Sequence, residues 1–224
     1  MNVIITGATG MVGEGVLQEC ISNPLVEKIL LVNRRPSGYS GEKIEERLLK
    51  DFNDLSPIAE TMKGYDACFF CAGVSSMGMK EDEYFALTYT LTVNFARQLA
   101  AIAPQLTFCY VSGAGTDSSE KGRQMWARVK GKTENELLKL PFKAVFNFRP
   151  AFMKPSPGAR NVKGFYKIIN AVYPVFRAVS PRYFLTLTEV GRAMIQVVLQ
   201  PGKKRVLEVG DIARLSKEAI GVKV

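Results

Sequence analysis

Short apolar runs alternate with longer stretches of helical spacing over most of the chain. Residues 3–6 (Val-Ile-Ile-Thr) form a largely β-branched run that stops at Gly7, and 28–33, carrying Ile29-Leu30-Leu31-Val32, forms another. Both read as buried strands. Runs at 44–49, 67–71, 106–112 and 144–148 predict four more, the first of them weaker, and 205–209 predicts a last one. Between the first two strands, 11–22 places Val12, Val16, Leu17 and Ile21 at helical spacing and stops at Asn23-Pro24. Helices are likewise expected over 56–62, 81–103, 122–139, 164–179 and 188–199. Strands that alternate with helices, each strand nearly continuous in apolar residues, specify an α/β architecture. The expected fold is a doubly wound parallel sheet (Rossmann fold) with right-handed crossovers and helices on both faces. No linker-like stretch or shift in charge divides the chain, so 1–224 reads as a single domain.

Composition narrows the chemistry. Of 224 residues 47% are hydrophobic and 23% charged, ordinary for a globular core, and none is histidine. That excludes Ser-His-Asp and Cys-His catalysis and the commonest transition-metal ligand, and no metal site is expected. Proton chemistry falls to Tyr, Lys, carboxylates, hydroxyls or water. Cys68 and Cys71 have C-x-x-C spacing, but they lie in an apolar strand. With Cys20 and Cys109 they read as small hydrophobes, reduced in a cytoplasmic protein. Met1 runs into Val3-Ile4-Ile5 with no signal-peptide pattern, and the stretch 165–179 is broken by Lys167, Asn170, Pro174 and Arg177. No secretion signal and no transmembrane segment are therefore expected. The net charge of +9 is dispersed. Its clusters, Arg34-Arg35 and Lys203-Lys204-Arg205, fall in no nucleic-acid-reading motif, and an anionic cofactor with a solvated surface explains the excess.

The segment Thr6-Gly7-Ala8-Thr9-Gly10-Met11-Val12-Gly13 places three glycines between the first strand and the first helix. In that context a glycine triplet is a dinucleotide-binding signal. Gly7 permits the tight turn, Gly10 the approach of backbone to a pyrophosphate, and Gly13 close helix–strand packing, with the helix N-terminus turned toward the phosphates. About twenty residues on, an enzyme that prefers NAD carries Asp or Glu for the ribose 2′-hydroxyl. Here Asn33-Arg34-Arg35 occupies the place, and two guanidiniums suit a 2′-phosphate. NADP(H) is the expected cofactor.

With these features the sequence resembles the atypical short-chain dehydrogenases/reductases, in the NAD-dependent epimerase/dehydratase-like and Tat-interacting-protein-like subgroup. The resemblance covers nearly the whole chain: the glycine loop, Asp51-Phe52 after the third strand, Cys71-Ala72-Gly73 after the fourth, Tyr110-Val111-Ser112 ending the fifth and Arg149-Pro150 after the sixth. The late segment Thr186-Leu187-Thr188-Glu189-Val190-Gly191-Arg192-Ala193 matches too. It implies that Asp51 contacts adenine, that Cys71, Ala72, Gly73 and Pro150 flank the cofactor, and that Ser112 orients a substrate carbonyl. The family's Tyr-x-x-x-Lys reads Trp126-Ala127-Arg128-Val129-Lys130 here. Lys130 keeps its place and its implied bond to the nicotinamide ribose, whereas Trp126 stands where the proton-cycling tyrosine would. An indole N–H donates hydrogen bonds but does not cycle a proton near neutral pH.

The resemblance also makes the part from about 150 to 224 a small substrate-covering region. Phe152, Met153, Phe165, Tyr166, Val172, Tyr173 and Phe176 there suit core packing, an apolar ligand wall or a homodimer contact. Tyr110, Tyr166, Tyr173 and Tyr183 are the tyrosines that stand as substitutes for the missing one, and Thr116 or Asp117 are candidates to order a water. Two activities follow. One is an NADP(H)-dependent oxidoreductase or epimerase-like enzyme acting on a small carbonyl or alcohol; the other is a non-catalytic NADP(H)-binding sensor or interaction protein.

Overall fold

The strands form where apolar, mostly β-branched or aromatic residues run together, and they assemble as the alternation requires. The computed structural model describes residues 1–155, 160 and 184–218. Its main sheet contains β1 (Asn2–Thr6), β2 (Lys28–Asn33), β3 (Ile44–Leu48), β4 (Ala67–Phe70), β5 (Thr107–Val111), β6 (Ala144–Arg149) and β9 (Val206–Glu208). Their order is β3-β2-β1-β4-β5-β6-β9, and every pairing is parallel. This is the doubly wound topology, and the direction in which successive strands are added reverses between β1 and β4. A ligand crevice is expected there, beyond the carboxyl ends of the strands.

Side chains on successive strand residues point to opposite faces, so each strand feeds two cores. Val3, Ile5, Ile29, Leu31, Phe69 and Phe146 pack on one face with residues of α1 (Met11–Ser22), α5 (Leu187–Leu199) and α6 (Val209–Glu218). Ile4, Leu30, Cys68, Phe70, Phe108 and Tyr110 pack on the other with Phe95, Ala96 and Leu99 of α3 (Leu91–Ile102) and Leu137 of α4 (Met125–Leu137). β3 is the exception: it is an edge strand whose Glu45 pairs with Lys28 and Arg47, which explains its weaker apolar signal.

Several boundaries differ from the sequence reading. The helix expected over 81–103 is α2 (Glu81–Phe85) and α3 joined by a π-helical turn at Ala86–Thr90. The segment 56–62 is a pair of 3₁₀ turns rather than an α-helix, with Pro57 in the first. α4 starts at Met125 because the chain before it is a loop in which the Gly122 N–H donates to Asp117 Oδ2 at 2.6 Å. β7 (Phe152–Lys154) and β8 (Phe184–Thr186) form a small parallel ladder, and α6 follows β9; neither was expected. The predicted helix 164–179 lies outside the described residues, as do Phe165, Tyr166, Val172, Tyr173, Phe176 and Tyr183. Among the described residues no helix is long and apolar enough to cross a membrane, and Cys20, Cys68, Cys71 and Cys109 are free thiols.

Candidate functional site

The glycine loop is shaped by two close approaches. Gly7 has φ +71°, and a Cβ there would lie 2.7 Å from the Ala72 nitrogen. A Cβ on Gly13 would lie 2.2 Å from the Gly7 carbonyl oxygen. The loop is tied at both sides: the Ala8 N–H donates to Asn33 Oδ1 at 3.1 Å, and the Ala72 N–H donates to Thr6 Oγ1 at 3.2 Å. Gly10 caps α1 without a side-chain bond, which leaves N–H groups of the first turn for an anion.

Beyond the carboxyl ends of β1, β2 and β4 these segments enclose a cleft of about 280 Å³. Gly7, Thr9, Gly10, Asn33, Arg34, Arg35, Phe52, Cys71, Ala72 and Gly73 line it, so ten of the residues singled out from sequence meet in one cavity. Val74, Leu87 and Leu91 complete the wall. The sequence reading missed these three, although Leu87 and Leu91 are four residues apart, a spacing that shares one helical face. Arg34 and Arg35 are exposed at the rim, and among the described residues no carboxylate lines the cleft. Burial pushes the Cys71 thiol up to about 12, so it faces the cavity as a neutral group.

Other expected residues stand elsewhere. Met11, Val12 and Gly13 open α1 without lining the cleft. Asp51 is exposed, and its Oδ1 accepts from the backbone and side chain of Asn53, both at 2.9 Å. Asn33 spends its amide on structure, since Nδ2 donates to Glu46 Oε1 at 2.9 Å. The carbonyl of Pro150 accepts from the Ala114 N–H at 2.9 Å.

Ser112, Trp126 and Lys130 gather at the end of β5, outside the cleft lining. The Trp126 indole lies over the loop after β5, with Cη2 3.5 Å from where a Cβ on Gly115 would be. Lys130, one turn along α4, donates to the Ser112 carbonyl. Burial lowers the Lys130 amine to about 8, and the nearby Glu134 charge opposes that fall. Ser112 is buried, and its hydroxyl donates to Glu134 Oε1 at 2.5 Å, with the Phe148 carbonyl farther away at 3.1 Å. The Ser112 proton is thus committed inside the protein. Glu134 itself grips Arg149, with Nε 3.0 and 3.2 Å from the two carboxylate oxygens and Nη2 2.5 Å from Oε2. Sequence reading missed this pair, which joins a helix to a strand and has no local signal.

Of the other candidates, Tyr110 is buried, and its phenol is pushed well above the ordinary range by that burial. Asp117 is held by its own loop: Oδ1 accepts from Ser119 N at 3.0 Å, and Oδ2 from Gly122 N. Thr116 donates to the Gly113 carbonyl at 2.7 Å.

Comparison with known proteins agrees with this geometry. A family model described as "NAD dependent epimerase/dehydratase family" matches residues 3–122. Protein HTATIP2 of Rattus norvegicus is 25% identical over all of this chain and 92% of its own length. The mitochondrial protein FMP52 of Candida glabrata is 25% identical over 90% of this chain and 86% of its own. The solved structure of the Bordetella bronchiseptica enzyme WbmH in complex with NAD+ superposes with a TM-score of 0.65 at 16% identity, over 100% of this chain and 82% of that one. The family match spans more than half of the sequence, and it falls on the half that builds the glycine loop and the cleft. The chain belongs to the NAD dependent epimerase/dehydratase family.

Proposed function

We propose that the cleft binds a nicotinamide dinucleotide, NADP(H) in preference to NAD(H), and that the protein is an oxidoreductase or epimerase-like enzyme for a small carbonyl or alcohol. One observation carries the cofactor preference. Arg34 and Arg35 line the same cavity as the glycine loop, and among the described residues no carboxylate does. A 2′-hydroxyl would find no carboxylate acceptor there, whereas a 2′-phosphate would meet two guanidiniums able to bind it in charge-assisted pairs. The cradle fits the rest of the cofactor: backbone at Gly7 and Gly13 leaves no room for a Cβ, and the uncapped start of α1 offers N–H groups to a pyrophosphate. Phe52, Leu87 and Leu91 provide an apolar wall of the kind that a nucleoside base needs.

When bound, the nicotinamide would supply hydride transfer. This chain's part at the end of β5 would be to orient and to hold protons. Lys130 presents an ammonium beside the Ser112 carbonyl, and Trp126 covers the loop as a flat, donor-only surface. A second reading, an NADP(H)-binding sensor without turnover, is favoured by Trp126 in the tyrosine position and by the commitment of the Ser112 proton to Glu134.

The cofactor reading is tested by titrating wild type and the Arg34→Ala/Arg35→Ala variant with NADPH and NADH. Charge-assisted bonds contribute about 1.5–3 kcal/mol. Loss of the arginines is therefore expected to weaken NADPH by roughly 10- to 100-fold and to leave NADH nearly unchanged. Equal losses for both would refute the preference. A carbonyl and alcohol screen with wild type and Trp126→Tyr separates the activities. Turnover only in the tyrosine variant supports the sensor; wild-type turnover supports the enzyme.

A further inference from the structure

Behind Lys130 lies a chain of buried charge that the cofactor reading does not use. Glu134 is 1% exposed and Arg149 9% exposed. Arg149 also reaches Glu208 of β9 at 3.1 Å and bonds Ser118, so the connected groups run Glu208, Arg149, Glu134, Ser112, Lys130. Burying an ion pair is a poor way to stabilise a fold: well-packed apolar residues of similar volume do as well or better. A pair retained beside a candidate site therefore calls for another role.

The geometry supplies one. Ser112 has a single hydroxyl proton, and a carboxylate at 2.5 Å takes it in preference to a carbonyl at 3.1 Å. Ser112 can then accept a hydrogen bond from a ligand but not donate one. Lys130 has three N–H groups and uses one on the Ser112 carbonyl. We infer that Glu134, with Arg149 as its counter-charge, is a positioning residue for Lys130: it holds the hydroxyl of Ser112, the residue whose carbonyl anchors the ammonium at the end of β5, and leaves Lys130, rather than Ser112, to donate to the bound ligand. This inference rests on reading the end of β5 as the reactive end of the dinucleotide site. The charged and titratable groups gathered there are Glu134 on the same helix, Arg149 from β6, Glu208 from β9 and the buried Tyr110 phenol. Of these, Glu134 acts on Lys130 through its charge and favours the charged form.

The test uses protein without dinucleotide, so failure of the cofactor reading leaves it intact. Trace acetylation of Lys130 across a pH series, read by peptide mass spectrometry, gives the titration midpoint of that one amine. Wild type is expected to titrate near 8. Glu134→Gln, folded by circular dichroism, is expected to lower the midpoint by about one pH unit, because an adjacent opposite charge is lost. Glu134→Asp, which keeps the charge, is expected to return it toward wild type. If Glu134→Gln does not fold, Glu134→Gln/Arg149→Met removes both charges and is expected to shift the midpoint in the same direction by less, because loss of the Arg149 charge works the other way. An unchanged midpoint in whichever of the two variants folds overturns the inference.

Discussion

Replacing Gly13 by alanine is a demanding test of how α1 is seated. The added carbon would lie 2.2 Å from the Gly7 carbonyl oxygen, 2.5 Å from the Gly7 carbonyl carbon and 2.9 Å from the Ala8 nitrogen. Non-bonded carbon contacts settle at roughly 3.5–4.0 Å, so helix and loop must part by about 1 Å or more. Little nearby can yield. All three atoms are backbone, Ala8 N–H is bonded to Asn33, and Gly7 lies against the backbone of Cys71 and Ala72. Overpacking of this kind costs about 1–3 kcal/mol. In a chain of this length each kcal/mol moves Tm by about 2–4 °C, so a fall of roughly 2–12 °C is expected in thermal unfolding followed by far-ultraviolet circular dichroism. Gly202→Ala is the control, since nothing lies within 4 Å of its added carbon. A Gly13→Ala protein as stable as the Gly202→Ala control would refute the reasoning.

Two further outcomes follow from the same structure. Lys130 loses its proton near 8 in the folded protein but near 10.4 in an unfolded chain. The unfolded chain therefore binds more protons between those values, and stability rises with pH across that window. The buried cysteine thiols, pushed up by burial, work the other way above about pH 8.5, so the quantity to read is a difference: in urea unfolding from pH 7 to pH 10 the stability of wild type relative to Lys130→Met should rise with pH. Thr186 closes a capping box on α5, accepting from Glu189 N at 3.1 Å while its own N–H donates to Glu189 Oε2 at 2.6 Å. Thr186→Ala should cost about 1 kcal/mol in denaturant unfolding, and Thr186→Ser should cost much less.

The sheet was readable because its strands are written as runs such as Val3-Ile4-Ile5 and Ile29-Leu30-Leu31-Val32, bounded by glycine, proline or polar residues. The cleft was readable for the same local reason: loops that follow strand ends carry the glycines, Arg34-Arg35, Phe52 and Cys71-Ala72-Gly73. What stayed hidden depends on contacts between distant segments. The grip of Arg149 on Glu134 joins a strand to a helix, and nothing in either local pattern announces it. That pair decides where the Ser112 proton points, so the hydrogen-bonding role of Ser112 is set by a contact between distant segments and not by its place after β5. Asp51 shows the same limit. Its position in the sequence fits, but its carboxylate turns back on Asn53. The π turn at Ala86–Thr90 lies within an unbroken helical pattern and carries Leu87 to the cleft wall. α6 was a missed signal, since Val209, Ile212 and Leu215 recur every three residues and all are buried.

Calorimetric titration of wild-type protein with NADPH, and separately with NADH, decides whether this cleft is a dinucleotide site. Saturable binding of one NADPH per chain, tighter than NADH and abolished or strongly weakened by Gly13→Ala, is expected. Failure of both nucleotides to bind a protein shown to be folded would contradict it.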